Sequence, residues 1–190
     1  MKQGFRFLAF VITVLNGPAF AAPELFIIDS SHTFPRFSYN HFGYSTQVSR
    51  FNRTTGKIVL DKEARTVLVD VVIDMKSVDT GYNVLDGVIQ GKELLDTEDY
   101  PTATFKSTNV RFEGDRARAV DGVLTIKGIA KPVTLTIRSF LLAINPGLRK
   151  DAIGANASTT IRRSEYNAGK YVPEVGDEVT IDIAVEAIKN

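Results

Sequence analysis

From residue 56 onward, apolar and polar side chains alternate with a period of two over long stretches, and this alternation is the strongest constraint on what the chain can fold into. A β-strand turns successive side chains to opposite faces, so each such run has one dry face and one wet face. In "TVLVDVVIDM", Val67, Val69, Val71 and Ile73 fall on one side, with Asp70 and Asp74 on the other. In "VTLTI", Val133, Leu135 and Ile137 oppose Thr134 and Thr136. Near the C-terminus, Val179, Ile181, Ile183, Val185 and Ala187 oppose Thr180, Asp182 and Glu186. A wet face on every run is the pattern of antiparallel sheets.

Turn chemistry separates the runs at short intervals: Asp61-Lys62-Glu63-Ala64, Glu113-Gly114-Asp115, Lys127-Gly128, Asn145-Pro146-Gly147 and Val175-Gly176-Asp177. Many short strands with tight connections predict a sandwich or a barrel. "TATFKSTNVRF" changes phase, with Ala103 and Phe105 on one face and Val110 and Phe112 on the other, which a bulge or sharp bend would absorb. One stretch departs from the strand pattern. In "TGYNVLDGVIQGKELLDTEDYP" the spacing of Tyr82, Leu85, Ile89, Leu94 and Leu95 is closer to three or four, and Gly87 and Gly91 interrupt it. It reads as one or two short helices packed across one end of the sheet, broken at those glycines.

The first twenty-one residues stand apart. Lys2 and Arg6 form a basic opening, Phe7 to Leu15 is an apolar run too short to span a bilayer, and Ala19-Phe20-Ala21 supplies small residues for cleavage. Residues 1–21 read as a cleaved secretory signal and residues 22–190 as one domain. Setting that segment aside removes two basic groups and no acid, so the formal charge falls from +1 to −1. A nearly neutral domain has no overall electrostatic footprint for nucleic acid or for an anionic membrane surface. Cysteine is absent, so the domain is held together without disulfides, and periplasmic export fits better than a small extracellular module.

Chemistry-bearing motifs are scarce. His32 and His41 are the only histidines, nine positions apart and without cysteine, so no zinc-ligand spacing exists and no metal is expected. No G-x-G-x-x-G, Walker loop or G-x-S-x-G occurs. The carboxylate pairs Asp70 with Asp74 and Asp79 with Asp86 could do acid–base work, but acids on an alternating strand are ordinarily its solvated side. Phe37, Tyr39 and His41 share one strand face, and His32 falls on the opposite phase unless Pro35 marks a break.

Several stretches together resemble one family. "IDSSHTFPRFSYNHFGYSTQVSRFNRTTGKIVLD", "SVDTGYNVLDGVIQGKELLDTEDYPTATFKST", "DGVLTIKGIAKPVTLTI" and "IRRSEYN" followed by "VGDEVTIDIAVEA" are similar, in order, to YceI-family domains. The resemblance implies an all-β, eight-stranded antiparallel lipocalin-like β-barrel with a short helical insertion. It further implies an elongated apolar pocket for an isoprenoid (polyprenyl or quinone-type) or other long amphiphilic lipid, in a periplasmic or secreted protein of a family some of whose members dimerise. No cofactor is expected beyond that lipid, and a carrier of this kind implies transient contact with a membrane or a membrane-protein donor.

On that resemblance, pocket-lining roles fall to Phe37, Tyr39, Val71, Ile73, Leu85 and Leu95, and further to Phe105, Leu124, Leu135, Ile181 and Ile183. His41, Arg162 and Tyr166 are the candidates for contact with a polar head group, although Arg162 could equally pair with Asp79 or another rim acid. The chain departs from the family pattern at Val88, Leu94, Leu95, Glu165 and Asn167, where the family commonly has a histidine, two aromatics, an aspartate and a glycine. Two other readings compete with a lipid carrier that performs no catalysis: a lipid-modifying enzyme centred on His41, and a partner-binding barrel with a solid interior.

Overall fold

At most of the places where an alternating run meets turn residues the chain folds back on itself. A computed structural model describes residues 22–114 and 116–190, which form an all-β barrel; the secretory-signal expectation for residues 1–21 lies outside the described residues. The strands are β1 (Glu24–Ile28), β2 (Phe34–His41), β3 (Ser45–Phe51), β4 (Thr54–Asp61), β5 (Thr66–Asp74) and β6 (Val78–Asp79). After the helix α1 (Asn83–Gln90) follow β7 (Thr102–Glu113), β8 (Arg116–Ile126), β9 (Ile129–Asn145), β10 (Lys150–Arg162) and β11 (Val175–Lys189).

These segments make eight staves, because the first three staves are each broken in two. β1 and β2 both run antiparallel to β11, β1 along its end (Ile28 opposite Ala187) and β2 along its earlier part (Ile181 opposite Phe37). On their other side β1 pairs with β4 and β2 with β3, and the short β6 extends β5 to reach β3. The remaining staves follow in chain order, and β11 against β1 and β2 closes the ring. The first break, at Asp29–Thr33, is sealed by a side chain. Buried Thr33 donates its hydroxyl to the Glu186 carbonyl (3.2 Å) and accepts from the Glu186 N–H (3.1 Å), while Asp29 N–H donates to the same carbonyl (2.9 Å). The break therefore precedes Pro35, which sits within β2 opposite Ile183.

The phase change in β7 is a bulge between Ser107 and Asn109, as its sequence predicts. A second bulge lies between Asn156 and Ala157 of β10 and the facing part of β9, leaving Arg138 as the extra residue. Val175-Gly176-Asp177, expected as a turn, lies inside β11 at a register shift opposite β2.

The up-and-down order gives the barrel two unlike ends. One carries the β2–β3, β6–β7, β8–β9 and β10–β11 connections and is roofed by α1; the other has only the turns β4–β5, β7–β8 and β9–β10. In α1, Leu85 and Ile89, four apart, turn toward Phe51, Met75, Val78 and Ala103. Asp86 anchors the helix start by accepting from the Thr80 N–H (2.8 Å) and hydroxyl (2.7 Å). Gly91 ends the helix, but Gly87 lies inside it; the interruption expected at Gly87 does not occur, because a mid-helix glycine costs only about 1 kcal/mol and the buried face outweighs it.

Gly122 fixes how two neighbouring staves approach. A β-carbon there would lie 2.5 Å from the Phe105 ring and 2.6 Å from the Lys106 carbonyl oxygen. The ring can yield but the backbone carbonyl cannot. Gly122→Ala is expected to destabilise the barrel by about 1–3 kcal/mol, read as a lower midpoint in urea denaturation with an unchanged slope.

Candidate functional site

The dry faces of the strands point into the barrel but do not meet there. Val69, Val71, Leu135, Ile137, Ile181 and Ile183 face inward yet are only partly buried, because they border empty space. That space is a cavity of about 950 Å³, and its wall is aliphatic and aromatic along most of its length. The barrel is therefore hollow, which is the opposite of a side-chain-filled interior.

Each strand contributes its inward phase. β2 supplies Phe37, Tyr39 and His41, β5 supplies Val71 and Ile73, and β7, β8 and β9 supply Phe105, Leu124 and Leu135. β11 adds Ile181 and Ile183, and Leu85 and Leu95 come down from the roof. Phe37 stacks on Tyr39 (ring centroids 6.3 Å apart) and packs against Phe51 (5.3 Å), which stiffens the wall below the helix end.

Arg162, expected at the head-group end, is exposed and does not line the cavity; the wall residue is Arg163. The reason is phase: Ala155, Ala157, Thr159 and Ile161 line the cavity, and the next inward position is 163. The period of two in β10 is the signal that identifies it. Arg163 is committed to the protein, donating to the carbonyls of Gly176 (2.9 Å), Lys170 (2.8 Å), Val175 (2.7 Å) and Ala168. Burial pushes its pKa down, with Asp177 nearby opposing that shift. Its structural effect is to pin the β10–β11 connection over the roofed end. Asp79, suggested above as a partner for Arg162, instead faces Arg50 (3.5 Å) and accepts from Asn52 (3.0 Å).

Other polar groups also reach the wall, among them Arg36, Gln47 and Lys170. His41 lies near the roofed end with its ring edge-on to Phe42 (4.6 Å), and among the described residues no carboxylate hydrogen-bonds that ring. Burial pushes the Tyr39 phenol up, with Arg163 partly countering, and it does the same to Tyr166. Tyr166 is 2% exposed, and its hydroxyl is covered by protein without a hydrogen-bond partner. Its ring borders the cavity while its oxygen is sealed off. At the turn-only end, Asp61, Lys62 and Arg65 reach the wall; Lys62 pairs with Glu24 (2.9 Å), and Arg65 lies over the Phe112 ring (5.6 Å) and donates to the Gly114 carbonyl. The acids Asp70, Asp74, Asp79 and Asp86 do not line the cavity, and Asp74 is paired with Arg53 (2.6 Å).

His32 lies outside the cavity wall, at the break between β1 and β2. Its Nδ1 is 2.8 Å from Asp29, whose other oxygen accepts from the Ser31 hydroxyl (2.6 Å) and N–H (2.9 Å). Glu186 stands close by, and donor atoms of the three residues lie within 4.8 Å of one another. The Ser31 hydroxyl, then His32, lower the Asp29 pKa to about 2, and Asp29 raises that of His32.

Two substitutions test these environments. Removing a buried, unpartnered hydroxyl removes a desolvation cost, so Tyr166→Phe should leave stability unchanged or raise it by about 1 kcal/mol in chemical denaturation. Asp29 stabilises the fold above the ordinary carboxylate range and loses that effect as pH falls toward about 2. His32 contributes below its ordinary value and loses its part as pH rises through its raised folded value. The urea midpoint of Asp29→Asn should accordingly fall furthest below wild type near pH 5 and converge on it as pH approaches about 2.

Fold and interior together define a lipocalin-like β-barrel around an open apolar space. The chain belongs to the YceI family: the family model for the YceI-like domain matches residues 26–187. Protein YceI of Salmonella agona (strain SL483) is 32% identical over 187 residues, covering 98% of this chain and 96% of that protein. The crystal structure of Burkholderia cenocepacia BcnA is similar, with 25% identity, a TM-score of 0.71, and coverage of 84% of this chain and 98% of that one. A polyisoprenoid binding domain from Saccharophagus degradans, implicated in plant cell wall breakdown, has a TM-score of 0.65 at 15% identity over 87% of this chain and 98% of that one.

Proposed function

We propose that this protein is a periplasmic binding protein that sequesters or carries an isoprenoid lipid, or another long amphiphile, inside its barrel without covalent chemistry. The observation that carries this reading is the hollow, aliphatic interior of about 950 Å³. That size sits at the upper end of the range for pockets that enclose small molecules, roughly 300–1,000 Å³. The wall is continuous from the roofed end to the β4–β5 turn, which suits a slender chain rather than a compact ligand. Support comes from the Saccharophagus degradans structure, described as a polyisoprenoid binding domain. Export rests on the reading of residues 1–21 as a secretory signal.

Binding rather than catalysis is favoured by what surrounds His41. A catalytic histidine base is ordinarily oriented by a hydrogen-bonded partner; among the described residues no carboxylate hydrogen-bonds the His41 ring, which stands edge-on to Phe42. The driving force for an apolar chain is far larger than any rim contact. Burial is worth about 0.8 kcal/mol per CH₂, so half-efficient burial of ten carbons gives about 4 kcal/mol, or roughly three orders of magnitude in Kd.

Affinity should therefore climb steeply along a series of single-chain alcohols from roughly eight to roughly eighteen carbons, measured by displacement of a fluorescent lipid. Equal affinity at both lengths would disprove a long dry tunnel. Native mass spectrometry of gently purified protein, followed by solvent extraction, should show a discrete extra mass that organic solvent releases.

A further inference from the structure

The β9–β10 hairpin outruns its neighbour. β8 pairs with β9 only as far as Ala119 opposite Thr136, whereas β9 continues through residues 137–145 hydrogen-bonded to β10 alone. Among the described residues no strand covers the other edge of that segment. Toward its tip the exposed side chains are mainly apolar: Leu141 is 64% exposed, Ile144 66% and Leu148, in the turn, 58%, whereas exposed Arg138, further back, pairs with Asp182 (2.9 Å) and Ser139 is the exposed neutral polar residue. The turn is rigid, since the Asn145 side chain accepts from the N–H groups of Gly147 and Leu148 (3.0 Å each) and its carbonyl accepts from Arg149 (2.8 Å).

Beside these apolar groups stand two cations. Arg149 and Lys150 are exposed and enter no ion pair among the described residues, and the turn "NPGLRK" contains no acid. The next acid, Asp151, is already bound to Lys189 (3.1 Å). The domain as a whole is nearly neutral and offers no overall attraction to an anionic surface, but at this tip apolar side chains flanked by two unpaired cations match the boundary of an anionic bilayer, where acyl chains lie just below negative head groups. The apolar surface is also continuous with the cavity, because Phe140 and Leu142 of the same strand line it.

We infer that the β9–β10 hairpin tip docks the turn-only end of the barrel onto an anionic lipid membrane. Insertion is shallow. The uncovered edge of β9 keeps unpaired backbone N–H and C=O groups that must stay hydrated, so the tip reaches head-group depth and does not span. This deepens the lipid-binding reading by assigning the end of the barrel that meets a lipid phase, and the two claims fail separately.

The test is retention by vesicles of the chain from Ala22, which contains every strand of the closed barrel. Phosphatidylcholine vesicles with about one-third phosphatidylglycerol are compared with phosphatidylcholine alone. Wild type should bind the mixed vesicles, less so in high salt. Arg149→Gln with Lys150→Gln should lose roughly 25-fold on mixed vesicles, about fivefold per cation, and little on neutral ones. Ile144→Ser with Leu148→Ser should lose at least about tenfold on both. Neither pair lines the cavity, so displacement of a fluorescent lipid in solution should be unchanged; a barrel that takes up no such lipid would end the proposed function and leave the vesicle result standing. The chain has no tryptophan, so Leu148→Trp gives an independent reading, expected as a blue-shifted emission quenched by brominated lipid. Docking is overturned if wild type is not retained, if the variants are retained equally, or if the emission of the introduced tryptophan does not move. It is equally overturned if the substitutions convert a dimer to a monomer without changing retention, which would make the free edge an interface between copies of this chain.

Discussion

The structure depends on β11 meeting two partners with one register. Its C-terminal residues pair with β1 and its earlier residues with β2, and this closes the ring. A slip of one residue would turn Val179, Ile181, Ile183 and Val185 outward at once. Thr33 protects against that slip where the ladder is interrupted, by holding both backbone groups of Glu186 with one hydroxyl. Closure leaves no free edge between first and last staves, so the interior can stay empty without the sheet collapsing on itself.

Polarity is distributed to keep that interior apolar. Arg163 lies at the roofed end but is consumed by four carbonyls, and Lys62 and Arg65 at the other end are held by Glu24 and by the Phe112 ring and Gly114. Asp74 of β5 and Asp86 of α1 serve as an ion-pair partner and a cap outside the wall. What remains in the middle is mainly hydrocarbon.

Much of this is legible in the sequence because the period of two carries through the fold. The inward set Val67 to Ile73, the set Val179 to Val185 and the bulge in β7 all follow from phase, and the roof follows from the change of spacing at Tyr82 to Leu95. Arg162 is misplaced by the sequence for a correctable reason: the phase of β10, counted forward from Ala155, selects its neighbour. The broken staves are less accessible, since the break at Asp29–Thr33 is stabilised by a partner more than 150 residues away in the chain. Asn167, where the family commonly has glycine, sits at φ 54°, a left-handed conformation that asparagine tolerates better than most side chains. A local rule of backbone conformation accounts for that departure without changing the fold.

The hollow has a consequence for the fate of the chain itself. A barrel of this size ordinarily owes part of its stability to a packed centre, and a hollow one forgoes that share. Any apolar guest that prefers the closed ring to the unfolded chain raises the cost of opening, by an amount that grows with the logarithm of its free concentration. Proteases act on opened chains, so vacant copies would be culled sooner than occupied ones, and the surviving pool would report how much guest the compartment holds.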